Sequence, residues 1–273
     1  MRIAELTGEV PPAARPPVLC YHRVGGPLEL GVTRVARSSF ARQMKTLARA
    51  GWRTLTLAEF SQRVAHPASR IPHPEFLLTF DDGYASLAEH VYPILADVGF
   101  TATTFLITDY VGRLNTWDVR YTWRRLGHLD WDTIGRWQAR GFDFASHTAS
   151  HQRLTWLSDG QAAAELEQSR ETLRRRLGLE AARAVAYPFG ARDERIERLA
   201  RATGYELGFG GVSGEPNGSR LNLPRVPVYV WDAGQVPVGL RGDAIGALGR
   251  LIAGVANRCA VGTTMMNVFR VGS

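Results

Sequence analysis

Short apolar runs alternate with longer amphipathic segments along most of this chain. The apolar runs have the length and composition of strands, and the segments between them repeat apolar residues with the helical period. We predict strands at 17–22, 76–80, 101–107, 142–145, 184–187, 206–209 and 226–230, and helices at 40–50, 85–98, 131–140, 159–177 and 192–203, with a short helix from residue 57. Strands that alternate with helices of ten or more residues predict parallel βα units and an α/β fold.

Two polar motifs directly follow predicted strands. Thr79-Phe80-Asp81-Asp82-Gly83 follows the run that begins at Phe76, and Ser146-His147-Thr148-Ala149-Ser150-His151 follows the run that begins at Phe142. The carboxyl ends of parallel strands meet on one face of a barrel or an open sheet, where such folds keep their sites. We therefore expect the two motifs to lie together.

One carboxylate and two imidazoles make a three-ligand metal site with room left for water and substrate. This is the arrangement of a hydrolytic metal centre. Neighbouring side chains on an extended segment point in opposite directions. One of Asp81 and Asp82 can therefore bind the ion while the other acts as a base.

Each motif also has an ordinary structural interpretation. Asp-Asp-Gly is typical of turns, and two histidines four residues apart are as easily surface or core residues. Their joint occurrence after apolar runs, in a chain with only seven histidines, favours a site.

Composition sets the broad class of protein. The chain has 273 residues and 45% hydrophobic content, enough for one large core. We expect a flexible leader at 1–16, which contains three prolines, and a single domain at 17–273. The net charge of +7 fits an anionic partner, but no run of basic residues with interleaved aromatics indicates nucleic-acid binding.

No membrane or secretion segment is visible in the sequence. There is no apolar stretch of 18 or more residues, so we expect no transmembrane segment. The N-terminus carries acids and lacks a long apolar core, which predicts a cytoplasmic location. The two cysteines, Cys20 and Cys259, form neither a disulfide framework nor a zinc knuckle.

At the two polar motifs the chain resembles the polysaccharide deacetylase family, also called the NodB-homology or carbohydrate esterase 4 family. The family's first motif matches 79–83, and its second, His-[Ser/Thr]-x-x-His, matches 147–151. Its third motif, Arg-x-Pro-[Tyr/Phe]-Gly, is met by Ala186-Tyr187-Pro188-Phe189-Gly190. The resemblance extends over roughly residues 17 to 230.

The resemblance implies a distorted (β/α) barrel with seven or eight strands. It implies one divalent metal ion, usually Zn²⁺, with Co²⁺, Ni²⁺ or Fe²⁺ serving in relatives. The ligands would be Asp82, His147 and His151, and Asp81 would be the base that activates a water at the metal. The reaction would be hydrolysis of an N-acetyl group on an amino sugar.

The third motif of the family supplies the oxyanion site and substrate contacts. The resemblance places Tyr187, Pro188, Phe189 and Gly190 there, with the backbone N–H of Phe189 as the oxyanion donor. The motif departs from the family pattern because Ala186 stands where the family has an arginine that orients the base. Arg225 is the candidate to replace it from another strand.

A second departure lies at the C-terminus. The family's late Leu-x-His, whose histidine protonates the leaving group, is absent, and no histidine follows His151. The circularly permuted members of the family carry that histidine near the N-terminus, and Tyr21-His22 is similar to their arrangement. We therefore take His22 as the general acid; the alternative is a structural histidine beside the barrel.

The expected substrate is a polysaccharide, an oligosaccharide or a glycosylated small molecule, with Trp117 as a surface for stacking on a sugar ring. Two alternatives stay open. The same site could hydrolyse another amide, such as an N-formyl sugar or a cyclic amide. The missing arginine would also suit a carbohydrate-binding barrel that has lost catalysis.

Overall fold

The computed structural model describes residues 15–26, 33–66, 73–116, 125–211 and 219–229. The predicted leader at 1–16 and the residues after 229 lie almost wholly outside these ranges, so the predicted domain boundaries remain predictions. In the part of the chain that the structure describes, no helix is both long enough and apolar enough to cross a membrane.

The strands and helices alternate as the sequence predicts. The strands are β1 (Val18–Tyr21), β2 (Arg23–Val24), β3 (Arg34–Val35), β4 (Arg53–Thr54), β5 (Glu75–Phe80), β6 (Thr103–Leu106), β7 (Asp143–Ser146), β8 (Ala184–Ala186), β9 (Leu207–Phe209) and β10 (Val226–Pro227). The helices are α1 (Arg37–Arg49), α2 (Leu57–Ala65), α3 (Ser86–His90), α4 (Tyr92–Asp97), α5 (Trp131–Gln138), α6 (Asp159–Leu177) and α7 (Glu194–Ala202).

The main sheet is parallel throughout and curls into a barrel. Its strand order is β10-β1-β5-β6-β7-β8-β9, with β4 added at the start of β5. The segment from Leu221 to Pro227 closes the ring, because Leu223 pairs with Phe209 on one side and Val226 pairs with Leu19 on the other. The predicted α/β barrel is thus confirmed, and it places the carboxyl ends of β1, β5, β7 and β8 around one opening.

Side-chain alternation divides each strand between the barrel interior and the helix layer. Val18, Leu77, Phe105 and Phe209 belong to one buried apolar cluster. Their strand neighbours Leu19, Tyr21, Phe76 and Leu78 belong to another, which packs against α1, α3 and α4. Because side chains alternate along a strand, the interior set continues upward from Val18 to Cys20 and His22, and from Leu77 to Thr79 and Asp81.

One predicted helix is two helices in the structure. The segment 85–98 divides at Val91 into α3 and α4, and Pro93 lies in the first turn of α4. Proline lacks a backbone N–H and its ring crowds the preceding turn, so it suits a helix start and not a helix interior. The prediction of one continuous helix is therefore wrong.

Substitution of Gly208 tests the contact between β9 and the segment that closes the barrel. A Cβ at this position would lie 2.5 Å from Tyr187 Oη and 2.6 Å from the backbone oxygen of Leu221. Gly208→Ala must therefore push β9 away from the closing segment, and we expect it to lower the free energy of unfolding by roughly 1–3 kcal/mol. Urea denaturation followed by circular dichroism measures the change.

Gly135→Ala is the matched control, since nothing lies within 4 Å of its added Cβ in α5. It should leave stability unchanged or raise it by roughly 0.5–1 kcal/mol. Equal stability of the two variants would mean that β9 and the closing segment are not in contact.

Candidate active site

The two carboxylates, Asp81 and Asp82, directly follow the end of β5. The backbone N–H of Asp81 still donates to the carbonyl of Tyr21 on β1, at 2.9 Å. The chain then turns sharply, since Asp82 and Gly83 have φ angles of 70° and 68°. The turn separates the two carboxylates, so that Asp81 continues the interior row of β5 while Asp82 faces the histidine motif.

The histidine motif forms a tight loop after β7. The N–H of His147 donates to the carbonyl of Leu106 at 2.8 Å, which continues the pairing of β6 with β7. The Ser146 hydroxyl then accepts from the N–H of Thr148, and the Thr148 hydroxyl accepts from the N–H of His151. These local bonds fold the loop so that both imidazoles point to the same side.

Helix α6 braces this loop from outside. The Glu165 carboxylate accepts from the backbone N–H of Ser150 at 2.9 Å and from its hydroxyl. The Ser169 hydroxyl lies 2.7 Å from that of Ser146. Sequence reasoning missed Glu165 and Ser169 because an acid and a serine on a helix carry no local sign of a distant loop.

Potential ligand atoms of three side chains converge on one point. The Nε2 atoms of His147 and His151 lie 3.5 and 3.6 Å from Asp82 Oδ1. The Nδ1 atom of His147 lies 2.8 Å from the carbonyl oxygen of Ala186; a carbonyl only accepts, so Nδ1 carries the proton and Nε2 a lone pair. The Nε2 atom of His147 and the Oδ1 atom of Asp82 therefore face each other with no proton between them, as a bound cation requires.

The separations also fit a first-row metal ion. A tetrahedral Zn²⁺ with ligand bonds of about 2.1 Å separates two ligand atoms by about 3.4 Å. The ligand atoms of Asp82, His147 and His151 all lie within 4.8 Å of one another. Burial lowers the pKa of His147 to about 4 and the pKa of His151 well below its usual value, so both imidazoles are neutral, as metal ligands must be.

Arg225, which directly precedes β10, binds the second carboxylate from the opposite side of β1. Its Nη1 and Nη2 atoms donate to the two oxygens of Asp81 at 2.7 and 2.8 Å, and its Nε atom donates to the carbonyl of Gly210. Both side chains are buried, at 5% and 3% exposure. The structure thus places Arg225 at the carboxylate that the family's third-motif arginine would orient.

The charge state of Asp81 follows from this pair. Burial alone would raise its pKa, but the Arg225 guanidinium, followed by His147, holds the pKa of the carboxyl well below its usual range. Conversely, burial lowers the pKa of Arg225 and the Asp81 charge raises it above its ordinary value. Asp81 is therefore ionised at neutral pH.

Cys20 and His22 also lie beside Asp81. Cys20 is on β1 and His22 directly follows that strand, and the ligand atoms of the two residues and of Asp81 lie within 4.8 Å of one another. The Cys20 thiol lies 3.5 Å from Asp81 Oδ2. Burial lowers the pKa of His22, so its resting state is neutral.

The third motif forms a short 3₁₀ turn at Pro188–Gly190 after β8. Phe189 has a φ of 60°, and its ring packs edge-on to His151 with the centroids 4.8 Å apart. Gly190 permits no side chain, because a Cβ would lie 2.7 Å from the backbone nitrogen of Gly211. The Tyr187 side chain points away from the metal ligands: it is fully buried and donates to the carbonyl of Leu221.

Backbone strain is concentrated at the three motifs. Among the described residues, the non-glycine residues with positive φ are Asp82, Thr148, His151 and Phe189. Each costs on the order of 1–3 kcal/mol and persists only where the surroundings hold it. That all of them lie in the metal-binding and third motifs indicates that the rest of the fold is organised to hold this geometry.

Two further residues complete the comparison with the sequence. His128, which sequence reasoning missed, places Nδ1 2.8 Å from the backbone oxygen of Asp82 and stacks on Tyr84. Its only signal was its position next to Leu129, ahead of α5. Trp117, the candidate for sugar stacking, lies outside the described residues.

A family profile, described as polysaccharide deacetylase, matches residues 69–208, just over half of the chain and all three motifs. The chain belongs to the polysaccharide deacetylase family. Individual family members agree with this. YxkH of Bacillus subtilis, itself assigned to the polysaccharide deacetylases, is 28% identical over 86% of this chain and 76% of its own length.

Two other family members extend the comparison. The poly-β-1,6-N-acetyl-D-glucosamine N-deacetylase of Staphylococcus aureus strain MRSA252 is 25% identical over 70% of this chain and 67% of its own length. The solved structure of IcaB from Ammonifex degensii superposes with a TM-score of 0.66, at 26% identity over 86% of this chain and 96% of that one. This chain therefore shares its fold with the IcaB structure over most of both chains.

The buried ion pair predicts a large effect on stability. Arg225→Ala leaves the Asp81 carboxylate buried without its charge partner, and we expect it to lower the free energy of unfolding by about 3–5 kcal/mol. Urea denaturation should be run near pH 7, because a carboxyl with a lowered pKa contributes its full stabilisation above its unfolded pKa of about 3.9. That contribution is lost only as pH falls through the lower native pKa.

Arg174→Ala is the matched control. Arg174 pairs with Glu171 on the exposed face of α6, where solvent screens the charges, so its loss should matter far less. If the two variants lost equal stability, Arg225 and Asp81 would not form a buried pair.

Proposed function

We propose that this protein is a metal-dependent N-deacetylase that removes an acetyl group from an amino sugar of a carbohydrate. The observation that carries the proposal is the convergence of Asp82, His147 and His151 beside a second carboxylate held ionised by Arg225. A carbohydrate-binding barrel without catalysis would not need a buried charged carboxylate next to its metal ligands.

Asp82, His147 and His151 would hold the ion. When bound, a divalent metal polarises the amide carbonyl and makes the attacking water acidic. Asp81 depends on that acidity, because a carboxylate whose pKa lies so far below its usual range is a weak base in ordinary water.

Asp81 would take the proton at Oδ2. This oxygen lies 3.8 Å from His147 Nε2 and therefore faces the ligand cluster. The bidentate contact with Arg225 fixes the plane of the carboxylate, which keeps Oδ2 aimed at the reacting centre. In this role Arg225 replaces the arginine that the third motif lacks.

His22 would protonate the leaving amine. It rests neutral, and one of its ring nitrogens lies within 4.8 Å of an Asp81 oxygen, so the proton taken by Asp81 can pass to His22 and then to the nitrogen. The backbone N–H of Phe189, on the strained turn beside His151, is our candidate donor to the oxyanion.

The relatives support a polymer of N-acetylated hexosamine as the substrate class. The curated relative from Staphylococcus aureus is named for poly-β-1,6-N-acetyl-D-glucosamine. Short β-1,6-linked oligomers of N-acetylglucosamine are therefore the first substrates to test, and Zn²⁺ and Co²⁺ are the first metals, since an Asp-His-His set suits several divalent ions.

Acetate release tests the proposal directly. The protein is stripped of metal, reloaded with Zn²⁺ or Co²⁺, and incubated with these oligomers. We expect acetate only after reloading. Asp81→Asn should lower kcat on the order of 10²–10⁴-fold while metal content stays unchanged, because it removes the base and not a ligand.

Asp82→Asn is the matched control, since it should lose the metal itself. Metal binding without acetate release from any N-acetylated sugar would overturn the deacetylase proposal and direct attention to N-formyl sugars, cyclic amides or a binding role. Full activity in Asp81→Asn would overturn only the role of Asp81.

A second prediction concerns His22. His22→Ala should lower kcat for acetate release by about 10²-fold or more with metal content unchanged, because the leaving amine then lacks its proton donor. His66→Ala is the control, as His66 is exposed at the end of α2. A fully active, metal-loaded His22→Ala protein would show that His22 is structural.

A further inference from the structure

A second cluster of metal-binding side chains lies beside the Asp82, His147 and His151 ligands. Cys20 lies on β1 and His22 follows the end of that strand directly, two residues after Cys20. Both reach the same cluster, while Tyr21 between them packs against Phe40 and Phe80 in the helix layer. Asp81 follows β5, which is the direct neighbour of β1 in the sheet.

The three side chains are close enough to share one ion. Their ligand atoms lie within 4.8 Å of one another, and the Cys20 sulfur lies 3.5 Å from Asp81 Oδ2. The donors are one thiol, one imidazole and one carboxylate. A set of this kind, completed by water, is typical of tetrahedral Zn²⁺ and of softer divalent ions.

His22 supplies an independent sign that the cluster is incomplete. Its Nδ1 atom is buried and has no hydrogen-bond partner among the described residues. Buried polar atoms in proteins are nearly always paired, and one that is not calls for an explanation such as a bound ion. The reaction itself needs one ring nitrogen for the leaving group and gives no account of a cysteine beside its base.

We propose that Cys20, His22 and Asp81 form a second, weaker site for a thiophilic divalent cation such as Zn²⁺, and that filling this site inhibits the enzyme. Binding replaces the thiol proton of Cys20 by the cation, and the proton is released to solvent without any electron transfer. The inhibitory part rests on the proposed function; the binding part does not.

Arg225 explains why this site is the weaker of the two. Its guanidinium already occupies one lone pair on each Asp81 oxygen, and its charge repels a second cation. A carboxylate has about four lone-pair positions, so Oδ2 retains one toward Cys20. The cation therefore takes the place of the thiol proton and leaves the arginine where it is.

Occupancy of this cluster would remove two groups from the reaction at once. Asp81 could no longer accept a proton at Oδ2, and His22 could no longer deliver one. The Asp82, His147 and His151 ligands would be unaffected. We therefore expect turnover to rise up to one equivalent of Zn²⁺ and to fall beyond it.

Cobalt titration of the metal-free protein tests the binding part without any substrate. Ligation by Asp82, His147 and His151 involves no sulfur, so the first equivalent of Co²⁺ should give no sulfur-to-cobalt charge-transfer band in the near ultraviolet. A second equivalent should produce that band. Cys259 is the only other cysteine of the chain, so Cys259→Ser is the matched control and should keep the band, whereas Cys20→Ser should lose it.

Equilibrium dialysis against Zn²⁺ with elemental analysis gives the stoichiometry. We expect two equivalents in the wild type and in Cys259→Ser, and one in Cys20→Ser and Cys20→Ala; retention of the first equivalent shows that these variants are folded. A single equivalent in the wild type, or a cobalt band that survives in Cys20→Ser, overturns the site.

Acetate release against added Zn²⁺, scaled to each protein's own maximum, then tests inhibition. The fall beyond one equivalent should be present in the wild type and absent in Cys20→Ser. Binding of the second equivalent with no fall in turnover overturns the inhibition. A wild type that releases no acetate at any metal level refutes the proposed function, while the cobalt band still decides the site.

Discussion

The buried contact between Arg225 and Asp81 links the closure of the barrel to the charge state of the Asp81 carboxylate. Arg225 lies on the segment that closes the barrel between β9 and β1, and Asp81 ends β5 on the far side of β1. A bidentate ion pair in a site with almost no solvent tolerates little displacement, because either charge alone would be buried at high cost. Closure of the barrel and the charge state of the Asp81 carboxylate are therefore held by the same interaction.

The same contact sets a limit on the chemistry. A carboxylate held ionised so firmly is always ready to accept a proton, but it accepts one only from an unusually acidic donor. A metal ion held by the neighbouring Asp82, His147 and His151 would meet that requirement, and the ligand atoms of these residues lie within metal-binding distance of one another. In the proposed reaction, Asp81 as a weak base would therefore depend on the metal that Asp82, His147 and His151 would hold.

Strain at the site is offset by bracing from outside it. Asp82, Thr148, His151 and Phe189 all have left-handed backbone geometry, which an isolated loop would relax. The Glu165 carboxylate on α6 and the Ala186 carbonyl on β8 accept hydrogen bonds from the histidine motif. His128, ahead of α5, is hydrogen-bonded to the backbone oxygen of Asp82. These contacts hold the motifs in place. Contacts from several elements of the barrel and its helices therefore hold the strained motifs in position at one opening of the barrel.

The sequence by itself determined the class of fold and the chemical content of the site. Hydrophobic periodicity and the alternation of strands with helices predicted parallel βα units, and the resemblance to the family implied the barrel. The short strands β2, β3 and β4 and the break at Val91, with Pro93 in the next turn, were not predicted. The motifs at 79–83 and 147–151 predicted a cluster of possible metal ligands, and the structure brings Asp82, His147 and His151 together; residue type and spacing after a strand are local properties of a chain.

What the tertiary structure decided is every relation between residues far apart in sequence. Arg225 lies 144 residues from Asp81, and no local pattern distinguishes it from the many other arginines of the chain. The bracing by Glu165, the burial of Tyr187 away from the ligands and the proximity of Cys20 to Asp81 are likewise consequences of strand order and register. The sequence determines the charge and hydrogen-bonding capacity of each side chain. The energies of the interactions between side chains depend on distance and burial, which are set only when the barrel has closed.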